Sequence, residues 1–235
     1  YDRRGKDAMA VDAVEKIPVF QPNEGFDAIP MWVADMNFAT APAVTEAIRK
    51  RLEQPLFGYF MTSDEYFDSI IRWQQRRNGV TGLEKEHIGY ENGVLGGLMS
   101  ALAAVCARGD NVLVHSPTYI GFTRSIENGG YHVITSPLKP DRYGVQRMDF
   151  FDMETKIKRN DIRAVVFCSP HNPTGRVWEQ EDLEHFMDMA RRLNVTVISD
   201  EIWSDLTLRG HQHIPLQSVS DDARQRTVAL YLSLI

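Results

Sequence analysis

The run Arg163-Ala164-Val165-Val166-Phe167-Cys168 passes directly into Ser169-Pro170-His171-Asn172-Pro173-Thr174-Gly175. Residues 163–167 read as a strand, short, apolar and rich in valine, as burial on both faces of a parallel sheet requires. The octet from Cys168 to Gly175 reads as the turn at its end, where two prolines keep the chain out of a helix and hold Asn172 between them. Further along, Val195-Thr196-Val197-Ile198 repeats the pattern and passes into Ser199-Asp200-Glu201-Ile202-Trp203. Each strand therefore presents one polar side chain, Asn172 or Asp200, at the lip of a sheet.

Outward from these two strands the same alternation continues. Strands are expected at 87–90, 111–115, 131–134 and 227–231, and helices at 94–107, 118–128, 149–159 and 180–193. Strands alternating with helices predict an α/β fold of three layers, α/β/α, around a mostly parallel sheet. Towards the N-terminus, Val44, Ala47, Ile48 and Leu52 share one face of a helix that starts at Pro42. A second helix spans 64–78, capped by Ser63 or Asp64 and ended by Asn78-Gly79. Residues 1–41 read as an irregular segment separate from the domain at 42–235.

The bulk numbers exclude several classes. With 235 residues, 43% apolar and 25% charged, the chain has the composition of a globular α/β domain. A net charge of −6 argues against a nucleic-acid surface, and the basic run Arg72 to Arg77 reads as the solvated face of a helix. Cys106 and Cys168 lie in apolar segments without metal-type spacing, so they read as core residues of a reducing, cytoplasmic compartment. No apolar run has the length of a bilayer and no signal-like core opens the chain, so a membrane role is not expected. The chain begins at Tyr1 rather than methionine, and a natural start further upstream is the expectation.

Ligands of open α/β sheets bind beyond the carboxyl ends of the strands, and four features fall there. Gly93-Val94-Leu95 opens a helix, where free backbone N–H groups and the helix dipole suit an anion; its glycines equally suit close helix packing. Tyr119 follows a strand and can stack on a flat ligand or simply pack. Asn172 can reach a ligand or bond its own loop. Asp200 ends an apolar strand, so its carboxylate is expected to be partly buried; it can cap a helix, or it can pair with a cation such as a protonated ring nitrogen.

Taken together with Asp2-Arg3-Arg4-Gly5, Met31-Trp32-Val33-Ala34-Asp35-Met36 and Phe57-Gly58-Tyr59, these segments resemble the fold-type I pyridoxal-phosphate-dependent enzymes. That is the aminotransferase class I/II superfamily, and within it the MalY/PatB-type cystathionine β-lyase (C–S lyase) branch. The likeness runs from Tyr1 to about Tyr231. It implies the large domain of a PLP-dependent transferase, incomplete at its C-terminus, with residues 1–41 belonging to the small domain and the substrate entrance. It also implies pyridoxal 5′-phosphate as cofactor, a sulfur-containing amino acid as substrate and a homodimer when intact. Gly93, Val94 and Leu95 would lie against the phosphate, Tyr119 would stack on the ring and Ile202 would pack beneath it. Asn172 would bond the ring hydroxyl, Asp200 the ring nitrogen, and Tyr59 the phosphate in the neighbouring subunit. Trp32, Ala34 and Asp35 would line the substrate entrance.

Two departures from the branch stand out. Trp203 occupies a position where many relatives have a tyrosine or histidine that also bonds the ring hydroxyl, and an indole only donates. Relatives also continue from the last strand into Ser-x-Ser-Lys, whose lysine bonds the cofactor, whereas here Ile235 matches the lysine position. An isoleucine can neither form an imine nor move a proton. The resemblance therefore implies a C–S β-lyase present as an N-terminal fragment. A class I/II aminotransferase and a truncated, non-catalytic cofactor-binding or regulatory module are the alternatives. The 235-residue chain by itself is expected to release no pyruvate from L-cystathionine, and measurable release by the purified chain would overturn that expectation.

Overall fold

The computed structural model describes residues 1–14, 16–27 and 29–232. It divides into two compact units, residues 1–60 and the chain from Met61 onward.

The first unit contains helix α1 (Met9–Asp12), a 3-10 turn at Pro18–Phe20 and helix α2 (Pro42–Leu52). Asp12 ties the entry of α1 by accepting from the N–H groups of Gly5 and Ala8, at 2.9 and 3.2 Å. Pro42 stands in the first turn of α2, where a missing N–H costs no helix bond. The last turn carries Arg49, Lys50 and Arg51, which complement the negative end of the helix dipole. Ile48 and Leu52, from the expected apolar stripe of α2, are both largely exposed.

The second unit opens with α3 (Asp64–Asn78), which has the expected ends: Ser63 accepts from Tyr66 N, and Gly79 closes the helix in the left-handed conformation at φ 69°. There follow α4 (Val94–Val105), β1 (Asn111–Ser116), α5 (Ile120–Asn128) and β2 (His132–Pro137). A small antiparallel pair, β3 (Lys139–Pro140) and β4 (Gln146–Arg147), leads to α6 (Phe150–Arg159) and β5 (Ala164–Cys168). The order closes with α7 (Gln180–Arg192), β6 (Thr196–Asp200), α8 (Asp221–Arg226) and β7 (Thr227–Leu230).

Among the described residues the main sheet has five parallel strands in the order β2-β1-β5-β6-β7. This is the α/β architecture read from the alternation. β5 is buried along its whole length, which explains its uniformly apolar sequence. Side-chain alternation then builds two cores. Val112, Val114, Val166 and Ile198 pack against Leu98 and Leu102 of α4 and Phe122 and Ile126 of α5. Leu113, Val165, Phe167 and Val197 pack on the opposite face with Met153, Leu183, Phe186 and Trp178.

One expected strand does not form. At 87–90 the chain makes a 3-10 turn over Lys85–His87, and the His87 ring accepts from Glu84 N at 3.1 Å to close it. Tyr90 is exposed, so this short run has no buried face to reward extension. The small pair β3–β4 was not expected from the sequence. It is held by Asp141, which accepts from Tyr143 N and Val145 N and pairs with Arg147 at 3.2 Å.

Two histidines interrupt the apolar core. His115 and His171 are each about 2% exposed, and their rings sit 6.3 Å apart among Phe167 and Trp178. His171 Nδ1 meets Thr174 Oγ1 at 2.8 Å, but the Nε2 atoms of both histidines lack partners among the described residues. Burial pushes His115 down to about 3, with His171 adding to the effect, and burial alone pushes His171 down to about 4. Both rings are therefore neutral in the fold and prefer protons in the unfolded chain. Their contribution to stability is complete above about 6.5 and is lost as pH falls towards 4 and then 3, at about 1.4 kcal/mol per pH unit per group. His115→Phe keeps the aromatic packing and removes this proton linkage. It should move the acid-unfolding midpoint, followed by circular dichroism, down by about half a pH unit or more. A midpoint that stays in place would remove the histidine from the account.

Candidate active site

The strand order changes direction at β1, whose successor β2 lies on one side while the later strand β5 lies on the other. The carboxyl ends of β1 and β5 are therefore the switch point outside which open α/β sheets hold ligands. Ser116 to Tyr119 leaves β1 there, the 168–175 octet leaves β5, and Asp200 ends the adjacent β6.

Asp200 shares the face of Ile198, the side covered by α4 and α5. It is 5% exposed, and among the described residues its carboxylate accepts one hydrogen bond, from Ile202 N at 3.0 Å. Burial pushes this carboxyl up to about 6; the Ile202 N–H works against the rise and the charge of Glu201 adds to it. An ionised carboxylate in such a place favours a cationic partner.

The start of α4 lies at the same edge. Gly93 precedes it at φ 83°, with no side-chain cap. The first intrahelical bond runs from Gly97 N to Gly93 O at 3.1 Å, so the N–H groups of Val94, Leu95 and Gly96 point out of the helix end. A Cβ at Gly97 would come within 3.0 Å of Leu230, and Leu230 pairs in register with Asp200. That close approach seats the positive end of α4 beside the ends of β6 and β7.

Tyr119 caps the start of α5 and is 40% exposed, with its ring edge-on to Phe122 at 5.4 Å. The ring lies over Gly121, where an added Cβ would fall 2.2 Å from Tyr119 Cε1. Gly121 thus makes room for the tyrosine, a role the sequence reading missed although the Tyr-x-Gly spacing was there to be seen.

Asn172 is half-buried, with its N–H directed at Cys168 Sγ at 3.4 Å, and no hydrogen bond engages its side-chain amide among the described residues. Its loop is closed by His171 N to Arg176 O at 2.8 Å and Gly175 N to His171 O at 2.7 Å. Downstream, Arg176 pairs with Glu179 and with Asp182, and Arg147 reaches the same two carboxylates at 3.0 and 3.3 Å. Trp178 donates to the carbonyl of Cys168 at 3.0 Å beneath the loop. Burial raises the Cys168 thiol far above its ordinary value, which makes it a core residue rather than a nucleophile. Ile202 and Trp203 follow Asp200 and are both half-buried.

Glu201, whose place after Asp200 in the sequence announces no role, has one in the structure. It is fully buried, on the face opposite Asp200. Its carboxylate accepts from Ser199 Oγ at 3.0 Å, Leu216 N at 3.1 Å, His213 Nε2 at 2.7 Å and Tyr231 Oη.

The structure thus gathers Gly93, Val94, Leu95, Tyr119, Asn172, Asp200, Ile202 and Trp203 at one edge of the second unit. The remaining expected site residues belong to the first unit. Trp32 donates to Ala10 O at 3.0 Å and packs against Phe20, with ring centroids 4.4 Å apart. Asp35 pairs with Arg3 at 2.7 Å, which holds its carboxyl below the usual range, while Ala34 and Tyr59 are exposed. Ile235 lies outside the described residues. A hollow of about 410 Å³ lies at the opposite, amino edge of the sheet, lined by Asp161, Arg163, Asn194 and Thr196 among others; within the second unit it lies at the other end of the strands from Asn172 and Asp200.

Residues 28–231 match the family model for aminotransferase class I and II. The chain is 41% identical over 196 residues to cystathionine β-lyase PatB of Bacillus subtilis, covering 83% of this chain and 50% of that protein. It is 31% identical over 195 residues to the protein MalY of Escherichia coli, with the same coverage of each chain. Among solved structures, the PLP-bound C–S lyase of Staphylococcus hominis superposes with a TM-score of 0.87 at 32% identity, covering 98% of this chain and 57% of that one. Cystalysin of Treponema denticola, which contains pyridoxal 5′-phosphate, gives a TM-score of 0.89 at 27% identity, with coverage of 98% and 57%. The chain spans about half the length of the curated relatives it matches. It belongs to the aminotransferase class I and II family.

Proposed function

We propose that this chain carries the cofactor-binding part of a pyridoxal-phosphate-dependent C–S β-lyase acting on a sulfur-containing amino acid such as cystathionine. The observation that carries the reading is the Asp200 carboxylate, buried with a single hydrogen bond among the described residues and raised to about 6 beside the open N-terminus of α4. A buried carboxylate of this kind calls for a cation, and a helix end with free N–H groups calls for an anion. A phosphorylated pyridine ring offers both charges in one flat molecule. The names of several relatives favour the lyase over the aminotransferase.

The chain's own residues divide the work by chemistry. The N–H groups of Val94 and Leu95, after the turn at Gly93, would hold the phosphate with the helix dipole behind them. Tyr119 would cover one face of the ring and Ile202 the other. The Asn172 amide, without another partner among the described residues, would donate to the ring hydroxyl oxygen. Trp203 can add only a donor. Asp200 would ionise on pairing and keep a proton on the ring nitrogen. When bound, the cofactor supplies an electron-withdrawing cationic ring that stabilises negative charge at a substrate α-carbon. Trp32, Ala34 and Asp35 would line the substrate entrance. Exposed Tyr59 would reach the phosphate of a second subunit in a cytoplasmic homodimer.

Asp200→Asn tests this in two directions. In the full-length protein it should weaken pyridoxal 5′-phosphate binding about ten- to a hundredfold, the worth of a charged hydrogen bond. Without ligand it should stabilise the fold at pH 7. A raised carboxyl favours folding below about pH 4, and that contribution is lost as pH rises through 6, a loss of up to about 3 kcal/mol that asparagine avoids. Unchanged affinity would sink the proposal. The reaction is separated by assay: the full-length protein should release pyruvate from L-cystathionine without any 2-oxo acid, whereas turnover only with a 2-oxo acid acceptor would make it an aminotransferase.

A further inference from the structure

Asp200 and Glu201 are consecutive buried carboxylates that face opposite sides of the sheet. They are satisfied very differently. Among the described residues Asp200 has one donor, the N–H of Ile202. Glu201 has four, drawn from separate segments: Ser199 on β6, His213 and Leu216 in the connection to α8, and Tyr231 just past β7. Its own N–H is also engaged, donating to Leu230 O at 2.9 Å. A carboxylate fixed at both oxygens and at its backbone cannot turn, and neither can the residue joined to it.

We propose that Glu201 is a positioning residue for the candidate site, fixing the direction of the neighbouring Asp200 carboxylate and placing a second negative charge behind it. This rests on the reading of Asp200 as the partner of a ring nitrogen. The charge raises the proton affinity of Asp200, in keeping with the direction in which Glu201 shifts that group. A more basic Asp200 holds a ring N–H more tightly. The other titratable group shown to act with Asp200 is Cys168 at the end of β5. Around Glu201 the titratable groups are His213 and Tyr231, with Asp205 acting on Tyr231. Of these, Glu201 is the one whose charge is held in place by four donors.

The test compares two ligands in the full-length protein: pyridoxal 5′-phosphate, and an analogue whose ring nitrogen is replaced by CH. The ratio of their affinities isolates the contact between Asp200 and the ring nitrogen, because phosphate and stacking contacts cancel. Glu201→Gln, which keeps the shape and removes the charge, should lower the ratio about tenfold. Tyr231→Phe, which removes one donor, should lower it about two- to threefold and carries the test if Glu201→Gln does not fold. A general loosening of the fold would weaken both ligands and leave the ratio as it is. An unchanged ratio in either folded variant overturns the proposal while leaving the role of Asp200 intact. An unchanged ratio in Asp200→Asn as well would mean that the ring-nitrogen reading has failed instead.

Discussion

At the end of β6 two adjacent carboxylates leave water in opposite directions, and the surrounding structure is arranged to make that tolerable. Burying an ionised group without partners costs several kcal/mol. Glu201 meets that cost through its four donors. In doing so it joins β6, the connection to α8 and the exit of β7 at one point. Among the described residues Asp200 is left with one donor, and it responds by holding its proton more tightly. One carboxylate is a structural knot, and the other, in the proposed site, is the one that a cationic ring nitrogen would complete.

The fold was legible because parallel strands buried on both faces leave a strong signal. Residues 164–168 and 196–200 formed strands within a residue or two of the expected places, and α3 began and ended on its expected capping residues. The run at 87–90 misled for a physical reason. Four residues with an apolar and an aromatic member satisfy a strand pattern, but periodicity does not say whether a neighbouring strand exists to accept the hydrogen bonds. Here a side chain, His87, took the backbone bond and turned the chain. The pair β3–β4 escaped because its two-residue strands owe their form to Asp141 and not to any apolar repeat.

The site was legible to a different depth. That Asp200 would be buried followed from the apolar strand before it, and that the Gly93 turn would expose N–H groups followed from helix geometry. The role of Glu201 did not follow, because its donors come from residues 199, 213, 216 and 231, brought together only by the crossover through α8. Gly121 was missed for a subtler reason. A glycine in the first turn of a helix reads as a weakness of propensity, whereas its use here is to leave room for the Tyr119 ring. His115 and His171 were equally opaque, since nothing in sequence brings position 115 beside position 171 until β1 and β5 pair.

The period of two along a strand gives these observations a common cause. Ile198 and Asp200 point towards α4 and α5, and Ser199 and Glu201 towards the opposite core. A one-residue slip of β6 would exchange them, sending Asp200 into the nest of donors and Glu201 to the edge beside α4. The apolar pattern of Val195, Val197 and Ile198 alone does not forbid that slip strongly, because both faces of the strand are buried. The polar partners do. His213, Leu216 and Tyr231 fit a carboxylate at position 201 with a side chain one methylene longer than that of aspartate. The hydrogen bonds around Glu201 therefore fix the register of β6, and with the register they decide which carboxylate faces the helix end.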